Sequence, residues 1–134
     1  MSVIFKDVSK AKEFYRAFWT ELVKDLGSKI DVSLFFSVKD PDFSVYVDKN
    51  SVKIDDEIGD VDADVKFTLS VDTAHKFWLK ELSLPKALAL RQVTTRGSIP
   101  KVLKLLPLLQ PAFKKYREYC KQYNLPTDMK GLHN

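Results

Sequence analysis

The stretch VDADVKFTLS, residues 61–70, leaves this chain few options. Val61, Ala63, Val65, Phe67 and Leu69 take alternate positions, and Asp62, Asp64, Lys66, Thr68 and Ser70 fill the positions between them. A side-chain period of two over this length predicts a strand with one dry face and one wet face. A dry face has to be covered, so the strand requires a sheet with a second layer packed on it. The period then changes. Residues 71–82 and 84–90 read as helical pieces, Gln92 to Arg96 as a short strand, and Gly97 as a turn. Ile99, Val102, Leu103 and Leu106 mark one stripe of a further helix.

Upstream, Ala11, Phe14, Tyr15, Phe18, Trp19, Leu22, Val23 and Leu26 recur at three- and four-residue steps. They predict a helix over residues 9–26, with Ser9 as N-cap and Gly27 just past its end. Ile30 to Val38 predicts a first strand, with Val32, Leu34, Phe36 and Val38 on one face. Asp40-Pro41-Asp42 is turn chemistry. Phe43, Val45 and Val47 alternate in a second strand, and Val52 and Ile54 make a brief third. On this reading residues 61–70 are the fourth strand of an antiparallel meander. Downstream, Pro107 interrupts the apolar helix, and Pro111 suits the first turn of another. Ala112, Phe113, Tyr116, Tyr119, Cys120 and Tyr123 form that last helix's buried stripe. The tail after Pro126 reads as loose.

The predicted fold class is α+β, one domain over residues 1–134. It has two layers, with a mainly antiparallel five-stranded sheet and helices packed on one face. The order and character of the pieces resemble the lipid-binding domain of the sterol carrier protein type two family. The specific match is the strand Ala63 to Ser70. His75 to Leu82, Pro85 to Leu88 and Val93 to Gly97 match in order. The resemblance covers about residues 10–109, and the last helix lies beyond it. It implies a five-stranded sheet whose helices enclose an apolar tunnel, and a carrier of fatty acid, fatty acyl-coenzyme A, sterol or phospholipid that performs no chemistry.

The general properties suit such a domain. With 134 residues the chain can bury roughly two-thirds of its unfolded surface. A single cysteine excludes an internal disulfide framework. Residues 1–8 carry charge and lack an apolar block, which predicts no signal peptide. The longest stretch without Asp, Glu, Lys or Arg, residues 105–113, is far short of the ~20 residues of a membrane span. The last three residues are no peroxisomal address. These features predict a cytoplasmic protein. The formal net charge is +4, and basic residues outnumber acids most strongly from Arg96 onward. An anionic partner is expected at that third of the chain.

Chemistry-bearing constellations are sparse. Asp60, Asp62 and Asp64 have the first three spacings of a calcium loop. Val65 stands where that loop needs Gly, and Val71 where it needs Glu. His75 has no ligand-type neighbours at metal spacing, and His133 sits in the tail. Cys120 lies in an apolar stripe, where an inert thiol is the plain reading, with Arg117 and Lys121 nearby to favour a thiolate instead. No glycine-rich phosphate loop or nucleophile elbow is visible. No catalytic residue, metal site or cofactor is therefore assigned.

The positive feature is leucine. Residues 82–109 hold nine of them. They either fill the centre or line a cavity, and the resemblance implies a cavity. Its expected wall is Phe36, Val65, Phe67 and Leu69 from the sheet, with Phe77, Ile99, Leu103, Leu106 and Phe113 from the helices. The partners expected are a long-chain lipid or acyl-coenzyme A, an anionic membrane met by Lys114, Lys115, Arg117 and Lys121, and an enzyme to which the lipid is presented. Two other readings stay open: a basic interaction or nucleic-acid-binding module, and a lipid-modifying enzyme or its accessory subunit. Nucleic acid is disfavoured because the aromatics of the last helix fall on its buried stripe.

Overall fold

A computed structural model describes residues 4, 5 and 7–128. His133 and most of the tail lie outside the described residues. Helix α1, Val8–Leu26, opens the fold. Its N-cap is Asp7, not Ser9. The Asp7 carboxylate accepts the Ser9 N–H at 2.9 Å, which satisfies one of the orphan donors of the first turn. Gly27 ends it at φ 52°, a conformation that favours glycine.

Five strands follow: β1 Leu34–Lys39, β2 Phe43–Asp48, β3 Ser51–Ile54, β4 Val65–Ser70 and β5 Val93–Gly97. Their order across the sheet is β3-β2-β1-β4-β5. Three of the four pairings are antiparallel, as the expected fold class requires. The fourth strand does not continue a meander, however. It crosses back and pairs parallel with β1, in the register Leu34↔Val65 to Lys39↔Ser70. The reason lies in the acidic loop. Asp55 pairs with Lys12 of α1 at 2.5 Å and Glu57 with Arg16 at 2.9 Å, which turns the chain away from β3.

Residues 61–64 are not strand. Asp64 instead clamps Ser33: its Oδ2 accepts the Ser33 N–H at 2.9 Å, and its own N–H donates to Ser33 Oγ at 2.8 Å. This bracket sits just before the first β1–β4 pair and sets the parallel register. Gly97 closes β5 against the same point. A Cβ there, at φ 111°, would lie 2.1 Å from the Asp64 carbonyl oxygen, so only glycine fits.

Helices α2 Val71–Trp78, α3 Leu84–Ala89, α4 Ile99–Leu105 and α5 Gln110–Gln122 complete the second layer. Ser70 caps α2 by accepting the Thr73 N–H, and Ser83 caps α3 by accepting the Lys86 N–H. Pro107 falls in a 3-10 segment, Leu106–Leu109, that separates α4 from α5. The inner sheet face, with Leu34, Val38, Val45, Val47, Val65 and Phe67, is buried beneath the helices. The outer face carries Lys66 and Thr68 into solvent. Helix α5, beyond the reach of the resemblance, packs on α1 and α2.

Candidate functional site

The second layer divides into two halves. On one side α1, α2 and α5 meet through rings. Phe18 sits against Trp78 and Tyr116 with centroids 4.7 and 5.0 Å away, and Phe14 against Tyr116 and Tyr123 at 5.3 Å each. Buried among them is His75, at 0% exposure. Its Nε2 lies 2.9 Å from the Pro126 carbonyl oxygen, its Nδ1 lies 2.7 Å from Tyr116 Oη, and Tyr116 Oη lies 2.8 Å from Tyr15 Oη. A carbonyl only accepts, so Nε2 carries the proton, Nδ1 accepts from Tyr116, and Tyr116 accepts from Tyr15. Burial pushes the His75 pKa down, which keeps the ring neutral as this chain requires. Burial also pushes the Cys120 thiol up to about 12, with Arg117 opposing it more weakly. Cys120 is thus packed as an apolar group, at 0% exposure.

On the other side lies a cavity of about 90 Å³ between the sheet and the segment from α2 to the 3-10 turn. Leu34, Phe36, Val38, Val45, Phe67, Leu69 and Val93 form its floor. Trp19, Ala74, Phe77 and Trp78 close one flank, and Leu84, Ala87, Val102, Leu105, Leu106 and Leu109 close the other. Tyr15 also reaches it, but its hydroxyl is committed to Tyr116. The lining is almost entirely apolar.

Of the wall residues expected from sequence, Phe36, Phe67, Leu69, Phe77 and Leu106 are brought together around this cavity. Four are placed elsewhere. Val65 is fully buried in the sheet and does not line the cavity, and Phe113 packs behind Phe77 and Trp78, with rings 5.7 and 5.6 Å away. Ile99 is half-buried at the start of α4, and Leu103 is 48% exposed. The buried stripe of this segment is Val102, Leu105 and Leu109, one step round from the expected one. A leucine-rich run fits several helical registers, and only tertiary packing selects one.

Sequence reasoning also missed Trp19, Trp78, Ala87 and Leu105. Trp19 sits within the regular stripe of α1, which gives it no separate signal. Ala87 carries no signal, because a cavity is made by a residue too small to fill it.

The expected cationic face of α5 is partly consumed. Lys115 pairs with Asp25 and, at 3.3 Å, with Glu21, both on α1. Arg117 donates to the carbonyls of Leu79 at 2.7 Å and Thr127 at 3.1 Å. Lys114 and Lys121 are exposed.

A mixed five-stranded sheet with helices over one face and an apolar cavity between the layers defines a class of two-layer α+β folds. The comparison with solved structures identifies which: the chain has the sterol carrier protein type two fold. The sterol carrier protein domain 2 of Helicoverpa armigera superposes with a TM-score of 0.56 at 19% identity, covering 79% of this chain and 87% of that one. The UbiJ-SCP2 ubiquinone synthesis protein gives 0.56 at 17% identity, covering 81% and 93%. The fold also occurs inside a larger enzyme. The sec-alkylsulfatase of Pseudomonas sp. gives 0.52 at 17% identity over 74% of this chain, but the match spans only 16% of that protein. No family model matches the sequence, and no curated protein matches it.

Proposed function

We propose that this chain is a non-enzymatic lipid-binding domain that takes the apolar body of a long-chain lipid or acyl-coenzyme A between the sheet and helices α3 and α4. The observation that carries the reading is the cavity itself. It is lined by carbon from both layers, and the one hydroxyl beside it is already engaged. Its size matters as much as its chemistry. A cavity of about 90 Å³ is smaller than ligand pockets, which run roughly 300–1,000 Å³. A long chain therefore enters only as the wall moves outward.

The side able to move is α3, α4 and the 3-10 turn. These are short pieces punctuated by Pro85, Pro100 and Pro107, whereas the opposite half is tied by rings and the His75 hydrogen bonds. Each CH₂ moved from water into such a wall contributes about 0.8 kcal/mol, so binding requires no specific head-group contact. The likeness to a ubiquinone synthesis protein and to one part of a sulfatase supports a variant of the same role, in which the domain holds a lipid for a separate enzyme.

Native mass spectrometry of purified protein tests for retained lipid. Titration with a fluorescent fatty-acid series tests the cavity: full transfer of each CH₂ corresponds to about fourfold in affinity. Affinity independent of chain length, or no binding, would count against the reading.

A further inference from the structure

The misplaced leucine on α4 has a surface to belong to. Residues 82–117 contain eight Lys or Arg and no Asp or Glu. This acid-free segment includes α3 and α4, which form one flank of the cavity. Within it stand the two large apolar side chains most exposed to solvent among the described residues, Leu90 at 56% and Leu103 at 48%. Leu103 is not isolated. Pro100 and Pro107, both exposed, and half-buried Ile99 lie three or four residues from it, which makes a second apolar stripe on α4 turned away from the cavity stripe. Lys101 and Lys104 flank it, and Lys86 and Arg91 bracket Leu90.

We propose that the outer flanks of α3 and α4 are a docking face for an anionic lipid bilayer, with Leu90 and Leu103 inserted below the head groups and the lysines and Arg91 at their level. Charge selects an anionic surface. The exposed leucines select hydrocarbon over a polyanion such as nucleic acid, which offers nothing to bury them. Asp64 lies 3.7 Å from Lys101, and Glu81 precedes α3 in the chain. Lys86, Arg91 and Lys104 belong to neither of the α5 anchors described above. The proposal rests on the lipid-binding reading for its purpose. Leu103 lies on the back of α4, whose Val102 and Leu105 line the cavity, and Leu90 follows directly on α3, whose Leu84 and Ala87 line it. Docking would place the yielding wall against the source of lipid.

The test uses the whole chain and two vesicle types, phosphatidylcholine alone and equimolar phosphatidylcholine–phosphatidylserine. The parent should sediment with the mixed vesicles only, and less so at high salt. Leu90→Ser with Leu103→Ser should cost about tenfold in partitioning. Arg91→Gln and Lys104→Gln should cost about fivefold each, whereas Lys114→Gln with Lys121→Gln on α5 should change little. Leu103→Trp supplies a direct probe, since its indole should shift blue on the mixed vesicles and be quenched by brominated acyl chains, beyond any change in the parent. Fatty-acid titration without vesicles, run on the same variants, should stay at the parent value; a loss there with docking intact would indict the cavity reading and not the docking face. The proposal is overturned if the leucine pair leaves sedimentation unchanged, if the α5 pair abolishes it, if the Leu103→Trp indole is not quenched, or if the segment instead binds a single-stranded oligonucleotide with the leucines dispensable.

Discussion

The two halves of the helical layer cover the same sheet with different materials. Under α1, α2 and α5 the covering is aromatic: Phe14 meets Tyr116 edge to face, Phe18 meets Tyr116 and Trp78 likewise, Trp78 stacks on Tyr116, and the buried imidazole and hydroxyls complete one another's hydrogen bonds. Under α3 and α4 the covering is aliphatic and thin, and space is left over. Aromatic edges and a satisfied polar chain admit one arrangement, because any shift breaks a hydrogen bond in a low-dielectric interior. Leucines on short helices admit several. The first half therefore holds the fold, and the second is the one the proposed ligand would displace.

The largest contrast should come from deleting a ring. Phe18 is 1% exposed and touches Trp19, Trp78, Tyr116 and Tyr119. Phe18→Ala should cost about 3–5 kcal/mol, which urea unfolding would measure directly. A loss below about 1 kcal/mol would mean that this half relaxes as easily as the other.

A matched pair of enlargements sharpens the comparison. Ala112 and Ala87 are both buried, at 0% and 1% exposure, but only Ala87 lines the cavity. Ala112→Leu should overpack the α5 side and cost about 1–3 kcal/mol. Ala87→Leu has space to enter, so its stability should stay near the parent while fatty-acid affinity falls. Equal costs at the two sites would erase the distinction between the halves.

The buried His75 gives the packed half a pH signature. In the unfolded chain its imidazole protonates below its ordinary 6.5, whereas burial holds it neutral to lower pH in the fold. The unfolded state then binds more protons in the window beneath 6.5, so stability is complete above that value and declines as pH falls through the window. Asp64 and Glu57, held low by the N–H groups of Ser33 and Ile54, add their own loss only at lower pH. His75→Gln should flatten the slope between neutral pH and about pH 5 in urea midpoints. A slope that persists unchanged would remove His75 as its source.

How much of this was legible in advance follows the same division. The sheet was readable because Lys66 and Thr68 alternate with Val65, Phe67 and Leu69, and a charge on the wrong face is costly, so only one register survives. The α1 stripe was readable for the same reason. The parallel crossing of β4 was not, since it depends on Asp64 meeting Ser33 and on Lys12 and Arg16 drawing the acidic loop to α1, contacts that no local pattern encodes. Nor was the cavity wall. Between Ile99 and Leu109 leucine stands at positions 103, 105, 106, 108 and 109, and such a run satisfies more than one helical face. Leu103 was read into the wall because nothing in the run contradicted it.

That residue carries the smallest and most discriminating expectation. On the wall, a larger side chain at position 103 would occupy acyl space. In the structure Leu103 is 48% exposed, and its neighbour two residues on, Leu105, is the one that reaches the cavity, at 5% exposure. Leu103→Trp should therefore change stability by no more than about 0.5 kcal/mol, as substitutions away from packed features do, and should leave fatty-acid affinity in solution unaltered. Leu105→Trp points its indole into about 90 Å³ of space, too little for both ring and ligand, so it should lower affinity even where the fold survives. The two substitutions share chemistry and helix and differ only in the face they occupy. If Leu103→Trp weakens fatty-acid binding and Leu105→Trp does not, the α4 register described here is wrong, and the aliphatic half closes over its ligand by a different face.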